Sequence, residues 1–130
     1  MEKTMVTNRE AIRRVVTALR SGEFKQGKHN MHSIVETENG EEHRYCCLGV
    51  ICIVAKREGV IDRLPWEEGY HEGYYNDILP PTVTKWFGLG SRNPVIPWEK
   101  GKAYKITLLN DYLDASFEEI ADRLEGLIQK

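Results

Sequence analysis

From Arg44 to Ala55 the chain reads Arg-Tyr-Cys-Cys-Leu-Gly-Val-Ile-Cys-Ile-Val-Ala, and this is its only long apolar run. On a helical wheel Cys47 to Ala55 leave no polar face, and a helix that is apolar all round belongs in the interior of a domain. Lys56-Arg57-Glu58-Gly59 follow, with cations suited to a last turn and a glycine suited to ending it. The spacing predicts a buried helix of roughly 8–12 residues between Tyr45 and Gly59.

The rest of the chain supplies material for one core around that run. At 130 residues a single domain is expected, burying roughly two-thirds of its unfolded surface without metals or disulfides. A charged fraction of 29% and a net charge of −2 give no chain-wide basic field for nucleic acid, so such a role needs a local patch. No stretch reaches the roughly 18 apolar residues of a membrane span, and Met1-Glu2-Lys3-Thr4 has no apolar leader core, so a cytoplasmic location is expected. All three cysteines fall between Cys46 and Cys52. Odd in number and crowded on one element, they cannot form a disulfide framework, and reduced buried thiols are expected. Without a CxxC or HxxxH pair, no metal site and no cofactor is expected.

Taken in order, Thr7 or Asn8 caps a first amphipathic helix with Glu10 in its first turn and Ile12, Val15, Val16 and Leu19 on its apolar stripe. A basic connector, Lys25 to His29, leads to two strand-like runs divided by Asn39-Gly40, a hairpin signal because both turn positions favour positive φ. The second strand feeds the cysteine helix. Val60 to Asp77 reads as a long loop with at most one short strand. Pro80-Pro81 opens a short helix over Thr82 to Phe87, Val95 to Trp98 is an edge strand at most, and Ile106 to Leu113 is another short helix. Ser116-Phe117-Glu118-Glu119 matches a capping box, and Phe117, Ile120, Ala121, Leu124, Leu127 and Ile128 form one stripe. The expected fold is α+β: one small domain with a β-hairpin feeding a buried central helix, packed by N- and C-terminal amphipathic helices.

Several of these segments together resemble a known family. They are Leu19-Arg20-Ser21-Gly22-x-Phe24-x-Gln26-Gly27, Tyr45-Cys46-Cys47-Leu48-Gly49-Val50, Leu79-Pro80-x-x-Val83-x-x-Trp86-x-Gly88-Leu89, Leu109-Asn110-Asp111, and Ser116-Phe117-x-x-Ile120-Ala121-Asp122-x-x-Glu125. The combination is similar to a family of small bacteriophage and prophage proteins of uncharacterised function. The resemblance implies a phage origin and an accessory role during infection. It transfers no catalytic residue.

Four chemistries compete for the remaining residues. Cys47, at a strand-to-helix junction, is where a thiol nucleophile gains from a helix N-terminus. Cys47-Leu48-Gly49-Val50 loosely resembles the opening of the NlpC/P60 cysteine peptidases, but the only later histidine is His71, while His29, His32 and His43 precede it. A small core residue is the favoured reading of Cys47. Arg13, Arg14, Arg20, Lys25 and Lys28, extended by Arg92, suit a phosphate, with Tyr74 and Trp98 as stacking candidates. The bland alternative is a solvated helix face. Glu67, Glu68, Glu72 and Asp77 suit a basic host protein. Ile106 to Leu124 also imitates a helix-turn-helix, but Glu118, Glu119, Asp122 and Glu125 would face phosphates with negative charge, which disfavours DNA. The expected function is therefore binding, of a nucleotide-like small molecule or a host protein, in counter-defence. A cysteine hydrolase and a DNA-binding regulator stand as alternatives.

Overall fold

The computed structural model describes residues 8–72 and 77–129. Asn8 caps the first helix, α1 (Arg9–Arg20), its side chain accepting from the Ala11 N–H at 3.1 Å. Ala11, Ile12, Val15, Val16 and Leu19 are buried, and the arginines of α1 lie on its exposed side. Three short strands follow, β1 (Lys25–Gln26), β2 (His32–Thr37) and β3 (Gly40–Tyr45), in the order β1-β3-β2. β2 and β3 form the antiparallel hairpin, and β1 adds to β3 in parallel through the pairs Lys25–Arg44 and Gln26–Tyr45. The hairpin bends one residue earlier than Asn39-Gly40. Thr37 pairs with Gly40, leaving Glu38 and Asn39 at the bend, and only Gly40, at φ 104°, takes a positive φ. The Thr37 hydroxyl accepts from the Asn39 N–H at 3.2 Å and donates to the Gly40 carbonyl at 2.8 Å, which fixes that bend.

β3 passes through Cys46 directly into α2 (Cys47–Arg57), every residue of which from Cys47 to Ala55 is buried. Leu48, Ile51 and their neighbours on α1, α4 and α5 form one core, and each fully buried aliphatic side chain contributes about 1.5–3 kcal/mol. α1 packs most extensively against α5 and also against α2, so the two terminal helices clasp each other beside the cysteine helix.

Residues 60–72 contain turns and bends and no strand among the described residues. Two carboxylates tie this segment down. Glu67 accepts from the Leu64 N–H at 2.6 Å, and Glu72 accepts from the Thr82 hydroxyl at 2.6 Å and from the Tyr70 hydroxyl at 3.0 Å. α3 (Pro81–Phe87) begins on a proline and ends at Gly88, whose φ of 81° needs no side chain. Val95 to Pro97 is a strand, β4, which pairs with β5 (Ala103–Lys105) around a turn at Glu99-Lys100-Gly101. α4 (Ile106–Asp111) then leads to α5 (Phe117–Gly126), where the Ser116 hydroxyl accepts from the Glu119 N–H at 3.1 Å and the Glu119 carboxylate accepts from the Ser116 N–H at 2.9 Å. Among the described residues no helix is long and apolar enough to cross a membrane.

Candidate functional site

Trp98 follows β4 at the point where the β4–β5 hairpin starts to turn. Its N–H donates to the Lys102 carbonyl at 3.0 Å, and the Lys102 N–H donates to the Glu99 carbonyl at 2.8 Å, so the turn is closed twice over. Gly101 supplies the positive φ of 76° that such a turn needs. Between this turn and α5 lies an open pocket of about 510 Å³, lined by Trp98, Lys100, Lys102 and Arg123 among others. The Arg123 guanidinium sits over the Trp98 ring, 4.8 Å from its centroid. Such a contact contributes about 0.5–1 kcal/mol at an exposed site. Lys102 reaches Glu99 at 3.6 Å, whereas no carboxylate pairs with Arg123 or Lys100 among the described residues. The pocket thus offers one aromatic platform, two cations with no carboxylate partner among the described residues, and a third, Lys102, paired with Glu99, whose carboxylate also lines the pocket.

The cations marked from the sequence divide among separate partners. Arg13 and Arg14 both reach Glu10 at 3.1 Å, and Arg14 also reaches Glu58 at 3.3 Å. These two share a groove of about 390 Å³ between α1 and α2 with Arg57, which is held by Glu23. Three arginines there face Glu10, Glu23 and Glu58, so the groove carries little excess positive charge. Arg20 points to α5, pairing with Asp122 at 2.6 Å, Glu125 at 2.9 Å and Glu118 at 3.2 Å. Those hydrogen bonds, that to Glu125 foremost, push its pKa above its ordinary value. Lys28 pairs with Asp114, and Lys25 stands exposed on β1 opposite Arg44 in register. Arg92 donates from Nε to the Leu79 carbonyl at 2.7 Å, bracing the approach to α3. Of the stacking candidates, Trp98 lines the hairpin pocket and Tyr74 lies outside the described residues.

Cys47 is fully buried, and its Sγ donates to the Ile106 carbonyl at 3.7 Å rather than meeting an imidazole. Burial first, and then the neighbouring Cys46 and Asp111, hold its pKa well above the ordinary thiol value. A protonated thiol without access to solvent is a poor nucleophile. His71 is exposed, its ring 5.6 Å from that of Tyr70. On the hairpin, His32 Nε2 and His43 Nδ1 lie 2.8 Å apart, and the His32 ring stacks on Trp66 at 5.0 Å. Burial and the facing His43 hold the pKa of His32 below its ordinary value.

Lys100, Lys102 and Arg123 were not among the residues the sequence singled out. Lysine density at 100–105 was visible, but nothing in the chain joins position 98 to position 123. On α5, Arg123 reads as a lone cation among acids. A family model described as Domain of unknown function (DUF8296) matches residues 7–128. No curated protein and no solved structure matches the chain.

Proposed function

The chain belongs to the family described as domain of unknown function DUF8296, and from its own geometry we propose that it acts by binding a phosphate-bearing, nucleotide-like ligand at the β4–β5 hairpin. The observation that carries this reading is the uncompensated Arg123 guanidinium held over Trp98 beside Lys100 and Lys102. A nucleotide has two parts, and the pocket has a counterpart to each. With Arg123 drawn off the ring to the phosphate, the indole face stacks a base for about 1–3 kcal/mol, and the guanidinium with the neighbouring ammonium groups makes charge-assisted hydrogen bonds to phosphate oxygens. The groove at Arg13 and Arg14 is the weaker site, because a phosphate there competes with carboxylates already in place.

The resemblance to phage and prophage proteins gives the binding a purpose. A small protein that sequesters a nucleotide signal of the host acts in counter-defence, with no chemistry required of it. A second reading, the blocking of a host protein, is favoured by an exposed apolar cluster at the end of α4, where Tyr112 is 67% and Leu113 47% exposed. Replacing both with glutamate distinguishes the two readings, since it abolishes a protein contact and leaves nucleotide uptake unchanged.

Calorimetric titration with adenosine triphosphate and with inorganic pyrophosphate tests the primary reading. The expected result is saturable heat with the nucleotide, weakened about tenfold or more by Trp98→Ala or Arg123→Ala, and weaker binding of pyrophosphate that is insensitive to Trp98→Ala. Arg13→Ala and Arg14→Ala should leave the affinity unchanged. Absence of binding to either probe, or full affinity in Arg123→Ala, overturns the assignment.

A further inference from the structure

The pocket at the β4–β5 hairpin contains one side chain that a phosphate site does not need. Glu99 lines it, and among the described residues of that lining it is the single side chain that accepts hydrogen bonds, since Trp98, Lys100, Lys102 and Arg123 only donate. Its carboxylate stands 3.6 Å from the Lys102 ammonium, close enough to pair the charges but longer than a hydrogen bond, and both side chains are more than half exposed. Acceptor sites on the carboxylate and donor sites on the ammonium therefore stay open to a ligand. An exposed pair of this kind adds little to stability. The turn that carries it is closed by backbone hydrogen bonds, from the Trp98 N–H to the Lys102 carbonyl and from the Lys102 N–H to the Glu99 carbonyl, and so does not depend on either side chain.

Side by side, an ammonium and a carboxylate make a two-part reader of a base edge. On its Watson–Crick edge guanine presents the O6 acceptor next to two donors, N1–H and the N2 amino group. Lys102 answers the first and Glu99 the other two. Adenine inverts both signs, setting its N6 amino donor against the ammonium and its N1 acceptor against the carboxylate. Uracil has one donor between two acceptors, and cytosine an amino donor beside an acceptor, so of the common bases guanine alone gives a carboxylate two adjacent donors. Ribose hydroxyls also donate, but they lie close to the phosphates, where a carboxylate is repelled. The Watson–Crick edge is the part of a nucleotide farthest from its phosphates, and an acid is best tolerated there.

We propose that this pocket selects guanine nucleotides, with Glu99 accepting from N1–H and the N2 amino group and Lys102 donating to O6, while the base lies on Trp98 and the phosphates meet Arg123 and Lys100. The proposal rests on the nucleotide-binding reading of the same pocket and names the base that reading leaves open. Selection works in both directions. Guanine satisfies the carboxylate and the ammonium together, whereas adenine sets a like group against each and leaves both without a partner.

Calorimetric titration of the full chain with guanosine, adenosine, inosine and 2′-deoxyguanosine triphosphates tests the selection. The guanosine nucleotide should bind about tenfold or more tighter than the adenosine nucleotide. Inosine triphosphate, which keeps N1–H and lacks the N2 amino group, should fall between them, and the deoxyguanosine nucleotide should match the guanosine one. Glu99→Ala should equalise guanosine and adenosine triphosphates. Its circular dichroism spectrum and melting temperature should match those of the native chain, which separates lost base reading from lost folding. Equal affinities of the native chain for these two nucleotides, both weakened by Trp98→Ala, overturn guanine selection and leave the nucleotide-binding reading standing. Absence of binding to all four overturns both. A guanine preference that survives Glu99→Ala overturns the role of the carboxylate, and weak binding of the deoxyguanosine nucleotide alone assigns Glu99 to the ribose and overturns the proposal as well.

Discussion

A methyl group at position 49 has nowhere to go. A Cβ built on Gly49 would lie 2.1 Å from the Met31 carbonyl oxygen, which is backbone and cannot rotate away. Gly49→Ala must push the base of the hairpin off α2, and chemical denaturation should show a loss of about 3 kcal/mol. Asn110 is the one buried polar side chain of the described core. Its amide donates to the Gly27 carbonyl and to Asp111, both at 2.8 Å, and its oxygen accepts from Gln26 at 2.8 Å. Asn110→Ala leaves Gln26 and the Gly27 carbonyl short of partners and should cost roughly 2–3 kcal/mol by the same measurement. Gln26, Gly27, Gly49, Asn110 and Asp111 all lie within the stretch that matches the family of unknown function. Their roles here are packing and polar satisfaction, which explains why the sequence carries a legible family pattern and no legible active site. The thiols follow the same logic. Burial pushes Cys46 from an ordinary value of 9.0 up to about 11, and Cys47 and Cys52 are raised as well. Because the folded pKa values lie above the unfolded ones, this contribution to stability is complete below about pH 9 and is lost as pH rises, when the unfolded thiols ionise and the folded ones do not. The denaturation midpoint should therefore fall above pH 9, and iodoacetamide should label no cysteine of the folded chain at neutral pH. Rapid labelling of Cys47 would restore the nucleophile reading.

At the scale of elements, helices with a clear stripe or a clear cap were legible and short strands were not. α1, α2, α3 and α5 lie where Asn8, the apolar run, Pro81 and the Ser116–Glu119 box put them. β1 and β5, of two and three residues, have no alternation to read, because pairing with a distant strand and not local pattern makes them strands. The long-range partners of charged side chains were equally hidden. Arg20 looked like part of a phosphate patch, yet it clamps α1 to α5 through three carboxylates. Arg20→Ala removes the clamp and leaves Glu118, Asp122 and Glu125 repelling one another. We expect a loss of about 1 kcal/mol at low salt that shrinks at high ionic strength, read from thermal melts in both buffers. A loss independent of salt would mean that the arginine stem, and not its charge, holds the helices together.

For the molecule as a whole, the cysteine helix is buried from Cys47 to Ala55, and the proposed recognition falls to the surface around it. The candidate pocket is assembled from a turn at residues 98–102 and from Arg123 on the last helix. The packing of α5 against β4 and the Arg123–Trp98 contact join those two stretches, so Trp98 could be marked from the sequence as an aromatic in a loop while its cationic partners could not. Charge compensation separates this pocket from the groove at Arg13, Arg14 and Arg57, and compensation is a property of the folded surface. Chemical-shift mapping of the isotopically labelled chain during titration with adenosine triphosphate puts that separation to the test. The Trp98 indole N–H, the backbone of Lys100 to Lys102 and the Arg123 side chain should move together and saturate together. Shifts confined to Arg13, Arg14 and Arg57, or none at saturating nucleotide, would contradict the assignment of recognition to the β4–β5 hairpin.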